Sequence, residues 1–260
     1  MPETTTRFAV LQCSLEIPEV EKLKRAFRSV KSLTESDAHT LANDAFGILV
    51  NNLSPQDAMS LQGALLAEGI RTAVVLQSDL PQLPPAKFVR RTDCLPEALM
   101  IYDPVGRTVP VPWSQVMFIA AGNVPLADFA ERKVVRPARA SRYGFEPARY
   151  ELPAWGEEEM KFHLLLEIVL SRSATRFQTQ ADKFLFLYLG ERKQSGLLEN
   201  FALLVQDLMK FAPQAMANRG AFFLRENTTR VFEYPSKHAF YEEMTWMLWQ
   251  AAHAQRAGET

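Results

Sequence analysis

Residues 51–77 read NNLSPQDAMSLQGALLAEGIRTAVVLQ, and both ends of a helix are written into them. Ser54 suits the N-cap, where a side-chain oxygen accepts a hydrogen bond from a main-chain N–H of the first turn. Pro55 follows at the first helical position, where its missing N–H costs nothing. Ala58, Leu61 and Leu65 recur at helical spacing and define one buried face. Gly69 stands just past the last turn, where a left-handed cap favours glycine. RTAVVLQ then begins a β-rich run, so the stretch reads helix, glycine stop, strand.

The preceding residues fit around this unit. RFAVLQCSL, Arg7 to Leu15, reads as a first strand. Val20, Leu23, Phe27 and Val30 keep a helical spacing and predict a helix from about Pro18 to Lys31. Ser32 and Glu35 have the spacing of a capping box for a shorter helix carrying Ala38, Leu41, Ala42 and Ala45. FGILVNNL supplies another extended segment. The order is strand, helix, helix, strand, helix, strand. With the stretches KLKRAFRSVKSLTESDAHTLAND, FGILVNNL and LSPQDAMSLQGALLAEGIRTAVV, that order resembles the C-terminal domain of the bacterial ribosomal stalk protein, over roughly Arg7 to Gln77. The resemblance implies a small βααβαβ sandwich. The family's Gly-Leu ahead of its second helix is Ser32-Leu33 here, and Asp37, His39 and Asn43 replace its lysine-rich second helix. It therefore speaks for a fold and not for contact with translation factors.

QSDLPQLPPAK, Gln77 to Lys87, carries Pro81, Pro84 and Pro85 and little to bury. It reads as a stiff connector, dividing the chain into a unit over 1–78 and a second over 88–260. A fragment ending near Leu80 is expected to fold alone. Beyond the connector, ALMIYDPVGRTVPVPW reads as two short strands around a turn built from Asp103, Pro104 and Gly106. QVMFIAAGNV makes a third strand, and KFHLLLEIVLSR, TRFQTQ and KFLFLYLG are strand-like by composition. Leu197, Leu198, Phe201, Leu204, Val205, Leu208 and Phe211 form one apolar helical stripe. Phe240, Tyr241, Met244, Met247, Leu248 and Ala251 form another. Between them GAFFLRE and TRVFEY are expected to pair as a hairpin. The whole is α+β, its second part a mixed β-sheet with two amphipathic helices. TVPVPWSQVMFIAAGNV, a Trp ahead of alternating apolar residues, resembles a strand of bacterial pleckstrin-homology-like domains, which implies a curved sheet.

The 260 residues carry 29 Lys plus Arg against 30 Asp plus Glu. No global field draws the protein to nucleic acid or an anionic membrane, so such binding must come from a local patch. Two cysteines, Cys13 and Cys94, are too few for a disulfide framework and read as reduced, mostly buried thiols. The opening MPETTTRFAV lacks the pattern of a signal peptide. The uncharged run Thr108 to Ala127 contains three prolines, Gly122 and Asn123, which favours two strands over a membrane span. A cytoplasmic location is the expectation.

No glycine-rich phosphate loop, nucleophile elbow or HExxH is present in the sequence. The expectation is no catalytic residue, no cofactor and no metal ligand. His163 and Glu167 lie four apart and would share a face on a helix, but the stretch reads equally as a strand. His238 and Glu242, with Glu243, fit a solvated helix start whose acidic residues complement the dipole. Trp246, Trp249, Met244 and Met247 read as core. One segment stands out: in ERKVVRPARASRYGFEPAR, residues 131–149, Arg132, Lys133, Arg136, Arg139 and Arg142 are interleaved with aromatics. Such a loop suits phosphates or single-stranded nucleic acid, or else is a solvated loop balanced by the acidic GEEE that follows. The reading with most support is a binding or scaffolding module whose partner is another protein, self-association included. The alternatives are an enzyme with a site between the units and a polyanion binder using the 131–149 loop.

Overall fold

The computed structural model describes residues 6–30, 33–34, 38, 41–42, 45–125, 162–171 and 175–258, with side chains masked at 162 and 254–258. It is α+β. In the first unit, β1 (Phe8–Gln12) lies between β2 (Ile48–Leu53) and β3 (Thr72–Leu76), antiparallel to both. Strand side chains alternate between faces. Val10 enters one core cluster while Ala9 and Leu11 enter another. A strand buried on both faces reads as an unbroken apolar run, which is what FAVL, Phe8 to Leu11, is.

One face is covered by α1 (Val20–Phe27) and α2 (Pro55–Ala67). In α1 the buried residues are Leu23, Ala26 and Phe27, whereas Val20 sits exposed at its first turn. Ala38, Leu41 and Ala42 are helical, and Ala38 and Ala42 join the same core. The expected capping box, Ser32 and Glu35, lies outside the described residues. In α2 the Asp57 N–H donates to Ser54 Oγ at 3.1 Å, and Ala58, Leu61 and Leu65 are fully buried. Gly69 has φ +80°. Its N–H donates to Leu66 O and that of Ile70 to Leu65 O, the paired bonds of a left-handed helix cap.

The connector is shorter than its composition implies. Gln77–Asp79 form a 3-10 turn, and Ala86–Phe88 is already a strand, β4. The second unit holds two sheets. β5 (Thr92–Cys94), β6 (Leu99–Tyr102) and β7 (Thr108–Val111) form an antiparallel sheet. The β6–β7 turn is closed by Asp103, whose Oδ1 accepts from the N–H groups of Val105 and Arg107. β8 (Val116–Pro125), β9 (Phe162–Leu170), β10 (Arg176–Gln180) and the two-residue β11 (Met216–Ala217) join β4 in a five-stranded mixed sheet ordered β11-β8-β9-β10-β4. No described helix is long and apolar enough to cross a membrane.

α3 (Leu197–Phe211) and α4 (Arg219–Glu226) cover one face of that sheet, meeting Ile119, Ala121, Leu166 and Ile168. GAFFLRE, residues 220–226, is expected from the sequence as half of a hairpin. Asn218 decides otherwise: its Oδ1 accepts from Ala221 N–H at 2.9 Å, and Ala221 and Leu224 then bury one helical face. TRVFEY is left with a single bridge, Glu233 to Asn123. KFLFLYLG is likewise not a strand but turns of 3-10 helix, and it buries Phe184, Phe186 and Leu189 without ladder partners.

α5 (Lys237–Gly258) is buried on two sides. Phe240 and Met244 pack on Phe118, Leu165 and Val169 of the five-stranded sheet. Trp246 and Trp249 pack on Ala9, Leu11, Phe46 and Ile48 of the first. A helix hydrophobic on more than one side belongs in an interior. Here it is the shared layer between the two sheets, and the sites below lie along it.

Candidate binding site

Along α5, buried polar groups fix the geometry. Glu243, read from sequence as part of a solvated helix start, is 1% exposed. It accepts from Arg219 Nε at 2.9 Å, Arg219 N–H at 2.8 Å and Tyr234 Oη at 3.0 Å. A buried carboxylate demands such partners. Burial, reinforced by Glu243, holds the Tyr234 hydroxyl well above its usual range. Asn218 completes the group, donating to Tyr234 Oη at 2.7 Å and exchanging hydrogen bonds with the main chain of Ala121. The Arg219 guanidinium lies 3.7 Å from the centre of the Phe46 ring, which ties the first unit to this network. Asn218, Arg219 and Tyr234 were not singled out from sequence; the cap preceding RGAFFLRE was the available signal.

A second cluster sits further along the sheet. Glu167, fully buried on β9, accepts at Oε1 from Gln178 Nε2 at 2.6 Å and from Tyr241 Oη of α5 at 2.8 Å, with Arg176 at 3.5 Å. Burial raises its pKa, with the Arg176 charge opposing. His163 and Glu167 are on a strand, where four residues span about 13 Å, so they do not converge on one ion. At the start of α5, Glu242 accepts from His238 Nε2 at 2.9 Å and from Asn51 Nδ2 of β2 at 2.7 Å. This clip borders a cavity of about 250 Å³ between the units, which Ile48 and Ser236 also line. Burial raises the Glu242 pKa against the pull of His238.

At the far end of α5 lies an apolar groove of about 340 Å³, lined by Cys13, Leu15, Met216, Phe222, Met247 and Gln250. Its rim is built deliberately. Gln12 is fully buried, and its side-chain amide donates to the carbonyls of Ser14 and Glu16. The loop so held presents Leu15, 71% exposed, to the groove that Phe222, 44% exposed, also lines. Large apolar side chains grouped at the mouth of a concave apolar surface mark an interaction site. Cys13, expected to be buried, is exposed on this rim, whereas Cys94 is buried and its thiol is pushed up to about 12 by burial.

Arg132, Lys133, Arg136, Arg139 and Arg142 lie outside the described residues. Among the described residues no cluster of His, Cys, Asp and Glu has the arrangement of a metal site. The architecture defines an α+β protein organised on a central helix with an apolar groove at one end. Compared with known proteins, the chain matches no family model, no curated protein and no solved structure.

Proposed function

We propose that this protein is a binding or scaffolding module that receives an apolar segment of another protein in the groove beside α5. The observation that carries this reading is the groove itself, with Leu15 and Phe222 held exposed on its walls. Folded chains seldom leave such residues together in water without a partner to cover them. Three elements distant in sequence line the groove, the β1–α1 loop, the β11–α4 region and α5, and a module of this kind reports the packing of both units to whatever it binds.

Two resemblances belong to the same proposal. The β2-β1-β3 sheet with its covering helices supports a stalk-domain-like first unit. Trp113, buried ahead of the long strand β8, supports the pleckstrin-homology-like comparison for that strand. Such folds serve many functions, so the groove and not the fold carries the functional argument.

The test is site-specific photo-crosslinking in the native host. A photoreactive residue in place of Leu15 is compared with one in place of Val105, an exposed apolar residue of the β6–β7 turn. The expected result is one protein captured from position 15, not from 105, and lost when Phe222→Asp is added. Capture that is equal from both positions, or indifferent to Phe222→Asp, would remove the groove from the function.

A further inference from the structure

The strand β3 is left open along one edge, and its hydrogen-bonding groups are arranged to meet their own copy. Cys13 N–H donates to Arg71 O and Gln77 N–H to Arg7 O. In an antiparallel ladder alternate residues bond to the partner strand. With Phe8 opposite Leu76 and Val10 opposite Val74, the residues bonded to β1 are Ala73 and Val75. The N–H and C=O groups of Thr72, Val74 and Leu76 therefore point away from β1. Within β3, Val74 packs into one core cluster and Ala73 and Val75 into the other, yet all five residues of the strand are half-buried. A strand covered on both faces but still partly accessible is accessible at its edge.

The other outer strands carry protection against edge pairing. In β7 the Asp103 N–H bond to Arg107 O sets the ladder so that Pro110 faces outward, where it offers no donor. β2 has register shifts against β1, and Asn52 within it has φ +60°. β11 is two residues long, and β4 and β5 three each. β3, TAVVL, has no proline, no charge and no bulge.

Beside this edge runs an uncharged stripe of α2. Pro55, Met59, Gln62 and Leu66 follow one another at steps of four, three and four, so they share one flank of the helix. That flank borders β3, because Gln62 Nε2 donates to the edge carbonyl of Thr72 at 2.9 Å. Met59 and Leu66 are each 63% exposed. A two-fold axis brings every residue near its own copy, so an uncharged edge and stripe can meet themselves, whereas a charged one would be repelled.

We propose that two copies of this chain pair β3 to β3, antiparallel, about a two-fold axis at Val74. Val74 exchanges both main-chain hydrogen bonds with the Val74 of the second copy, and Thr72 pairs with Leu76 on either side, the Thr72 carbonyl using its second lone pair beside the bond from Gln62 Nε2. The two three-stranded sheets become one of six strands, and the two α2 stripes meet across the axis through Met59 and Leu66. The surface is separate from the groove by α5, so either can fail without the other.

Sedimentation velocity of the full chain over a range of concentrations tests this. The wild type is expected to dimerise. Val74→Pro deletes a donor that β1 does not use, and is expected to weaken the dimer by roughly tenfold to a hundredfold through the loss of one N–H···O bond per copy. Met59→Lys with Leu66→Lys changes only exposed side chains of α2 and is expected to give a monomer with an unchanged circular dichroism spectrum. In the wild type, the Val74 and Leu76 amides are expected to exchange hydrogen more slowly at high concentration than at low. A wild type that stays monomeric overturns the proposal, and so does a dimer that survives the double lysine variant.

Discussion

The indole N–H of Trp246 donates to the main-chain carbonyl of Gln12 at 2.7 Å, between residues 234 positions apart. The Trp246 ring also meets Phe46 edge-on, with centroids 5.1 Å apart. The first sheet thus has its second face closed by the last helix. Trp246→Ala removes a fully buried ring and is expected to cost about 3–5 kcal/mol, read as a lower urea midpoint with an unchanged slope. Trp246→Phe keeps much of the packing and leaves the Gln12 carbonyl its second donor, Gln250 Nε2 at 3.1 Å, and is expected to cost less.

A fragment ending at Leu80 leaves Ala9, Leu11, Phe46 and Ile48 without the Trp246 and Trp249 that cover them. Such a fragment is expected to bind a hydrophobic dye, and to gain thermal stability when a peptide spanning residues 237–258 is added. Equal melting temperatures with and without the peptide would show that the α5 contact contributes little to the first unit.

Gly47 and Gly69 have nearly the same φ, +78° and +80°. A Cβ on Gly69 meets nothing within 4 Å, whereas one on Gly47 would lie 2.7 Å from the Trp246 ring. Gly69→Ala therefore carries the conformational cost alone, roughly 1 kcal/mol. Gly47→Ala adds overpacking, about 1–3 kcal/mol more. Chemical denaturation of the two variants separates these costs. Ser54→Ala, which removes the acceptor for Asp57 N–H, is expected to cost roughly 0.5–2 kcal/mol.

The pKa of Glu167 is raised from its ordinary value of 4.5, chiefly by burial. As pH rises above that value the unfolded chain loses the proton while the folded chain still holds it. The folded state then binds more protons, so stability falls with rising pH until the raised value is passed. Glu167→Gln abolishes this titration. The stability of the wild type, measured relative to the variant, is expected to decline as pH climbs from about 4.5 towards neutrality. An opposite slope would mean that the Arg176 ion pair outweighs burial.

What the sequence made legible was local. Ser54, Pro55 and Gly69 act within one helix, and Asp103 and Gly106 within one turn, so residue type alone announces them. GAFFLRE reads locally as a strand because Phe222 and Phe223 favour strands, while the Asn218 cap and the contact with β8 favour a helix. The strand β4 owes its existence to Arg176–Gln178, and no local pattern in PPAKF foretells that pairing. The groove is harder still, since Cys13, Phe222 and Met247 share no period.

The bond between Gln12 and Trp246 also sets a timetable. A chain is synthesised from its N-terminal end, so β1 leaves the ribosome long before the helix that closes it. Throughout that interval Leu11, Phe46 and Ile48 have no permanent cover, and the groove rim at Leu15 has no opposite wall. That face of the first sheet stays open until Trp246 and Trp249 emerge. Closure over so long a separation is a slow kind of contact to form, and the cover of the first sheet and the second wall of the groove arrive together with α5.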